Sequence, residues 1–292
     1  MRFSLLFLLV TISLGAAELK LDHVTVAGSD LKKMLAGLSE AGIPSQYGGP
    51  HQNHATEMAL TSFPDGSYLE LIAPQSNADP KALAGHVWAK QMEGNAGPCA
   101  WAVRSSNIES EIKRLKDAGV PVGSPEHSGR VRPDGTRLEW EVAQIGEEPR
   151  GTFFPFAIRD LTPRQDRAFL NGKPTTKDFS GVSRVVIAVR DLTASVKRYR
   201  QAYELAPPVE QVDASFGAHL AFLGSTPVVL ATPLNAQSWL AGRLEKFGEG
   251  PCAFILAAKK AGRYRVTSST HWSMATISWF DTTALGWHLG FE

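Results

Sequence analysis

The chain repeats itself, and that limits its folds more than any other feature. Val182 to Leu192 (VSRVVIAVRDL) echoes Leu21 to Leu31 (LDHVTVAGSDL). Pro227 to Pro233 echoes Tyr68 to Pro74, and Gly250 to Phe254 (GPCAF) echoes Gly97 to Trp101 (GPCAW). The matches fall about 153 to 161 residues apart and in the same order, so the chain reads as two copies of one unit. Within the first copy the pattern divides again. Leu19 to Ala27 reads as a strand, and Asp30 caps a helix whose apolar face is Leu31, Met34, Leu35 and Leu38, with Gly42 as its stop. A short strand near Ser45–Tyr47 follows, then a loop with His51 and His54. A hairpin of Glu57–Phe63 and Ser67–Ala73 turns on Pro64-Asp65-Gly66. The order is β-α-β-β-β.

Asp79 to Glu93 reads as a linking helix, after which the order starts again. Pro98–Arg104 is a strand and Ile108–Ala118 a helix capped by Asn107. Strands at Arg137–Ile145 and Phe153–Arg159 come after a polar loop spanning 123–135. The polar stretch 161–181 reads as a linker, and residues 182–292 as a second, degenerate unit. Its last module keeps strands near Tyr264–Thr267, Ala275–Phe280 and Gly286–Phe291, but Lys259 to Gly262 is too short to replace the helix. The fold class is therefore α+β, with tandem βαβββ modules in two duplicated units, the last module eroded.

Composition narrows the function classes. With 43% hydrophobic residues, 20% charged and a net charge of +1, the chain has the balance of a globular protein and no basic excess pointing to nucleic acid. Residues 1–17 have a positive start, an apolar run from Leu5 to Leu14 and a Gly15-Ala16-Ala17 end. This is the layout of a secretory signal peptide cleaved after Ala17, and it predicts an exported protein. The run is well short of the roughly 20 residues needed to span a membrane, and no later segment reads as transmembrane. An oxidising compartment would permit a disulfide between Cys99 and Cys252. The two cysteines, however, occupy equivalent places in two copies of a repeat, which favours two separate buried thiols.

Chemistry concentrates in Leu21–Pro74. His23 and Glu70 each interrupt an otherwise hydrophobic strand, where an unpaired polar group is costly, and the other modules lack both. Imidazole serves as a neutral metal ligand or as a proton acceptor near neutral pH. Arg130, Arg132 and Arg137 surround the turn at 133–135, and Arg offers a fork of donors to a carboxylate or phosphate. Trp101 and Trp140 are candidates for a cavity wall, though core packing explains them equally well. His86, His127, His219, His271 and His288 carry no spacing argument and read as structural or surface residues. In the second copy Arg184 stands in place of His23, Val229 in place of Glu70, and Asp213 is the approximate counterpart of His54, which cannot rebuild a metal site.

Paired βαβββ modules with a His in the first strand and a Glu in the last resemble the vicinal oxygen chelate superfamily. The first half is similar, more narrowly, to its glyoxalase-like domain family. The segments that carry the likeness are Leu21–Val24, His51 with His54–Thr56, Tyr68–Ile72, the 132–135 turn with Leu138–Trp140, and Pro155–Ile158. The resemblance covers residues 19–160 well and 181–292 only at superfamily level. It implies a cupped mixed sheet around a cavity that often holds a divalent metal. His23 and Glu70 would be two ligands, with His54 as the favoured third and His51 as the runner-up. The partner module offers only apolar residues around Ala100–Trp101 and Phe154–Phe156, a departure from a four-ligand site. The leading expectation is an exported enzyme, a lyase, isomerase or dioxygenase. There His23 and Glu70 are catalytic, and Arg132, Arg137, Trp101 and Trp140 hold a small oxygen-rich substrate. The alternatives are a metal-free protein that binds or sequesters a small ligand, and an assembly module with both cups vestigial. Internal duplication can take the place of dimerisation.

Overall fold

The computed structural model describes residues 19–132, 134–147, 149–260, 262–273 and 275–292. The expected signal peptide and Pro133 of the 132–135 turn lie outside them. In the first module β1 (Leu21–Ala27) leads to α1 (Leu31–Glu40), β2 (Gln46–Pro50), β3 (Thr56–Ser62) and β4 (Tyr68–Pro74). Two short helices, α2 (Pro80–Ala84) and α3 (Ala89–Glu93), connect it to β5 (Gly97–Arg104), α4 (Ile108–Asp117), β6 (Glu126–Val131), β7 (Arg137–Ala143) and β8 (Phe156–Asp160). Then α5 (Arg164–Ala168) precedes the second unit: β9 (Phe179–Ala188), α6 (Leu192–Tyr203), β10 (Val209–Asp213), β11 (Ala218–Phe222) and β12 (Val228–Pro233). Its last module is α7 (Trp239–Phe247), β13 (Gly250–Ala258), β14 (Ser268–Trp272), β15 (Ala275–Trp279), α8 (Thr282–Leu285) and β16 (His288–Phe291).

Each unit forms one eight-stranded mixed sheet. The strand orders, β2-β3-β4-β1-β5-β8-β7-β6 and β10-β11-β12-β9-β13-β16-β15-β14, are the same permutation twice. In each, the first strands of the two modules pair antiparallel at the centre, and each first strand pairs parallel with its module's last. The duplication seen in the sequence is therefore a duplication of topology.

Alternation along the strands separates core from cup. Val24, Val26, Leu69 and Leu71 of the first sheet join Val185, Ile187, Leu230 and Leu256 of the second in one apolar cluster, the main core. Residues one step out of phase, among them Ala27, Ile72, Ala100, Ala102, Phe156 and Ile158, form a smaller cluster on the other face of the first sheet. The Arg243 guanidinium also joins the units. It donates to the Ala96 and Pro98 carbonyls of the first and to the Pro251 carbonyl of the second. Both cysteines are buried and free.

Three local expectations need correction. The linking helix is two short helices: Pro80 opens α2 and Gly85 closes it, and the break carries His86 and Trp88 inward. The polar stretch before the 132–135 turn is edge strand β6, paired to β7. An edge strand keeps one side in water, so polar residues do not exclude it. The strand expected at Tyr264–Thr267 lies at Ser268–Trp272, and Tyr264 instead buries its ring in the main core beside Phe179 and Phe280.

Gly97 begins β5 with φ +66°, and a Cβ there would overlap the Cβ of Trp287 in the other unit. Gly97→Ala is expected to lower the unfolding free energy by about 2–4 kcal/mol, combining left-handed strain with overpacking. Gly224, at φ +48° with open space around it, should lose only about 1–2 kcal/mol as Ala. Urea denaturation of the two variants checks the difference.

Candidate active site

The concave face of the first sheet encloses a cavity of about 340 Å³. His23 from β1, Tyr68, Glu70 and Ile72 from β4, and Met58 and Leu60 from β3 supply one side. Arg130 from β6, Trp140 and Val142 from β7, and Phe156 and Ile158 from β8 supply the other, with His51, His86, Trp88 and Arg150 at its margin. The alternation that sends Leu69 and Leu71 into the core is what sends Tyr68, Glu70 and Ile72 into the cup.

Beneath His23 lies a buried charge network. Asp22 is fully buried and ion-paired with Arg167 at 2.8 Å and with Arg164. Both arginines also pair with Asp160, Arg167 at 2.6 Å and Arg164 at 3.1 Å. Burial would raise the Asp22 carboxyl, but Arg167, the His23 hydrogen bond and Arg164 outweigh it and hold it well below the usual carboxylate range. An ionised Asp22 can only accept, so the 2.7 Å contact fixes the proton on His23 Nδ1. Nε2, the other ring nitrogen, faces the cup. Tyr68 stacks on the imidazole with ring centroids 4.9 Å apart, and Phe156 meets it edge-on at 5.4 Å.

His51 is held in the same way from the opposite side. Its Nδ1 meets Thr56 Oγ1 at 2.8 Å, leaving Nε2 directed at Glu70. His23 Nε2 lies 3.6 Å from Glu70 Oε2 and His51 Nε2 lies 3.8 Å from Glu70 Oε1. Both distances are beyond hydrogen-bond length. Two anchored imidazoles thus face the two oxygens of one carboxylate with a gap between. Burial lowers the His51 pKa, the Glu70 charge opposes this, and Arg130 adds to the lowering. His86 is lowered by burial and by His51, with Glu70 opposing.

Two imidazole nitrogens and a carboxylate are the donor types of a three-ligand divalent-metal site. In their present spacing they do not close on an ion: among the described residues, no three His, Cys, Asp or Glu side chains form a metal-holding group. The strands of the partner module add no ligand. The partner module presents Ala100, Ala102, Phe156 and Ile158 where further ligands would stand.

Of the residues expected at the site, His23, Glu70 and Trp140 share the cup. His54 does not. It is exposed, in a left-handed conformation at φ 54°, and the runner-up His51 takes the place beside Glu70. Trp101 is fully buried in the main core because strand alternation gives the cup Ala100 and Ala102. Arg132 turns away to the carbonyls of Asp166 and Leu170 and to Asp134 at 3.2 Å. Arg137 is 75% exposed beside Glu139. His86, a structural or surface residue by its sequence, lines the cavity, as do Arg130, Trp88 and Arg150. Sequence reasoning misses Asp22 and the α5 arginines altogether. The only signal for them is a carboxylate next to the strand histidine and an Arg164/Arg167 spacing inside an apparent linker.

The second cup is filled by its own side chains. Phe216 stacks on Trp279 at 5.2 Å, and Trp272 packs edge-on against both. Asp213 accepts from Trp272 Nε1 at 2.7 Å and from Ser215 and Phe216. Arg184, in the His23 position, pairs with Glu292 at 2.9 Å.

One cupped eight-stranded sheet per pair of βαβββ modules is a glyoxalase/dioxygenase-like fold, and the first cup carries a His on its first strand and a Glu on its module's last. Residues 21–203 match the glyoxalase-like domain, and the chain belongs to that family. Among solved structures it is similar to a hypothetical protein from Staphylococcus aureus, 17% identical, with a TM-score of 0.62 over 94% of this chain and 99% of that one. It is also similar to a mutant of 4-hydroxymandelate synthase from Streptomyces coelicolor, 13% identical, with a TM-score of 0.57 over 82% of this chain and 71% of that one. Methylmalonyl-CoA epimerase from Mycobacterium tuberculosis matches 41% of this chain and 91% of its own, at 18% identity and a TM-score of 0.36. At these identities the first two likenesses concern the fold alone. No curated protein matches the chain.

Asp22→Asn removes one of the two carboxylates that balance Arg164 and Arg167, leaving two guanidiniums, that of Arg167 buried, to share Asp160. It is expected to cost about 3–5 kcal/mol of stability. Because the folded-state pKa of Asp22 is depressed, its contribution is present above the unfolded value of about 4 and is lost as pH falls through the folded value. Urea denaturation from pH 6 down to pH 2 should show wild type losing stability below about pH 4. In the Asp22→Asn variant this source of acid loss should be absent.

Proposed function

We propose that the first cup is the active site of an enzyme that moves a proton on a small oxygen-rich substrate and stabilises the resulting enolate or similar oxyanion. The observation that carries this reading is the convergence of His23 Nε2 and His51 Nε2, each with its Nδ1 engaged, on the two oxygens of Glu70. Aromatic walls surround these groups and keep the chemistry partly out of water.

The residues divide the work. Glu70 takes the proton from carbon beside a carbonyl, and the C–H bonding electrons pass into the enolate. Asp22 holds the His23 tautomer and stabilises the imidazolium when Nε2 binds a proton, as a carboxylate behind a catalytic histidine does. The Nε2–H, its proton taken up from solvent, then hydrogen-bonds to the substrate oxygen, and delivery of the Glu70 proton to the neighbouring carbon completes an isomerisation. A divalent ion, where bound, would be held by His23, Glu70 and His51 and would supply Lewis-acid stabilisation of that oxygen in place of the Nε2–H bond. The leader-like residues 1–17 are the sole support for placing this activity outside the cytoplasm.

Solvent-deuterium incorporation into a panel of α-keto and α-hydroxy acids, followed by NMR, tests the reaction. Wild type should exchange an α-proton of at least one member, and Glu70→Gln and His23→Ala should each slow that exchange by about 10²-fold or more. Exchange unchanged in Glu70→Gln, or absent across the panel, would favour a binding protein of the same fold. Metal analysis of the purified chain runs in parallel. Full metal content retained in both His23→Ala and Glu70→Ala would remove the ion from this site.

A further inference from the structure

Most arginines around the first cup are already paired. Arg164 and Arg167 are held by Asp22 and Asp160, Arg159 by Glu141 at 2.6 Å, and Arg132 by backbone carbonyls. Arg130 and Arg150 differ. Both line the cavity, both are half-buried, and neither side chain has a hydrogen-bond or ion-pair partner among the described residues. Arg150 lies with its guanidinium 5.7 Å from the Phe156 ring centroid, and its carbonyl accepts from Trp88 Nε1 at 3.2 Å. That bond fixes its backbone to the cup wall.

The charge balance of the cup follows. The Asp22–Asp160–Arg164–Arg167 network is neutral in itself. What faces the cavity is Glu70 with one negative charge, Arg130 and Arg150 with two positive charges, and three histidines. Arg130 acts electrostatically on His51 and Arg150 on His86, so each guanidinium stands near a different histidine of the lining. A half-buried guanidinium without a carboxylate partner is poorly compensated, and a planar oxyanion matches its fork of donors. The remaining walls, Trp140, Trp88 and Phe156, are flat and apolar. A cavity of about 340 Å³ is at the small end of the range for ligand pockets.

We propose that the first cup binds a small, flat molecule bearing a carboxylate or phosphate group, with that oxyanion held by the positive charge that Arg130 and Arg150 bring to the lining and its unsaturated body against Trp140 and Phe156. Placing the reactive carbon toward Glu70 rests on the proton-transfer reading above. The anion grip does not.

The test is an equilibrium titration of the full chain by tryptophan fluorescence, since Trp88 and Trp140 line the site. The probes are benzoate, phenylphosphonate, inorganic phosphate and the neutral isostere benzamide. Benzoate or phenylphosphonate should bind at least tenfold more tightly than benzamide, and which of the two is tighter tells carboxylate from phosphate recognition. Inorganic phosphate, lacking the flat body, should bind more weakly than phenylphosphonate. Arg130→Gln and Arg150→Gln should each weaken the preferred anion about tenfold or more and leave benzamide unchanged, while Arg137→Gln on the exposed rim should change nothing. Thermal melting confirms that the variants are folded. Equal affinity for benzoate, phenylphosphonate and benzamide, absence of binding by all of them, or full anion affinity in the Arg130→Gln/Arg150→Gln double variant would overturn the proposal. Glu70→Gln separates the two readings, because it should abolish exchange yet keep or strengthen anion binding.

Discussion

The pairing of Asp22 with Arg164 and Arg167 underlies the arrangement of the site. A carboxylate with no solvent exposure is tolerable only when its charge is met and its lone pairs are filled. Here two guanidiniums and one ring N–H accomplish both, and Asp160 pairs with the same two guanidiniums to balance their second charge. The same contacts fix three things together: the position of α5 against β1, the protonation of His23 Nδ1, and the direction of His23 Nε2. A segment whose composition suggests a linker is thus part of the support for the cup. Arg167 also donates to Tyr68 Oη at 2.7 Å, so the ring stacked on His23 is tied to the same network. Position and chemistry of the imidazole cannot be changed separately.

The duplicated sheets show what happens when that support is absent. In the second unit Arg184 replaces His23 and finds Glu292, and the concave face closes over Phe216, Trp272 and Trp279. The apolar surface that lines an open cavity in one copy is covered by aromatic rings in the other. A sheet of this topology therefore needs neither His nor Glu to fold. An open cup exposes apolar area and leaves polar groups partly unpaired, so it is the less stable solution of the two. That only one copy retains it argues that the open cup serves binding or chemistry.

Much of the fold is legible in the sequence because it rests on short-range rules. The Asp30 and Asn107 caps, the strand alternation and the Pro-Asp-Gly turn are local, and the helices and hairpin form where these signals stand. The strand histidine and glutamate are legible for the same reason, as polar breaks in apolar strands. Legibility ends where tertiary contacts decide. Proximity to a strand ranks His54 above His51, but loop geometry turns His54 outward. A polar edge strand has no alternation of its own, which hides β6 and with it the orientation of Arg130. Trp101 suggests a cup wall by its residue type, yet its phase in β5, one step from Ala100 and Ala102, already places it in the core.

The remaining asymmetry lies within the first cup itself. One module supplies the groups that can move a proton, His23, Glu70 and His51, all from Leu21–Pro74. The partner module and the segment leading into β8 supply Arg130, Trp140, Arg150 and Phe156, which can hold and orient but have no proton to exchange near neutral pH. In a fold built from two equivalent modules, symmetric metal ligation would use the same strand positions twice. Here the matching positions of the second module are alanine, phenylalanine and isoleucine. Without ligands there, half of the cup is open to recognition. On the proposed reading, the guanidiniums without a partner among the described residues and the flat walls found there choose the substrate while the other half does the chemistry.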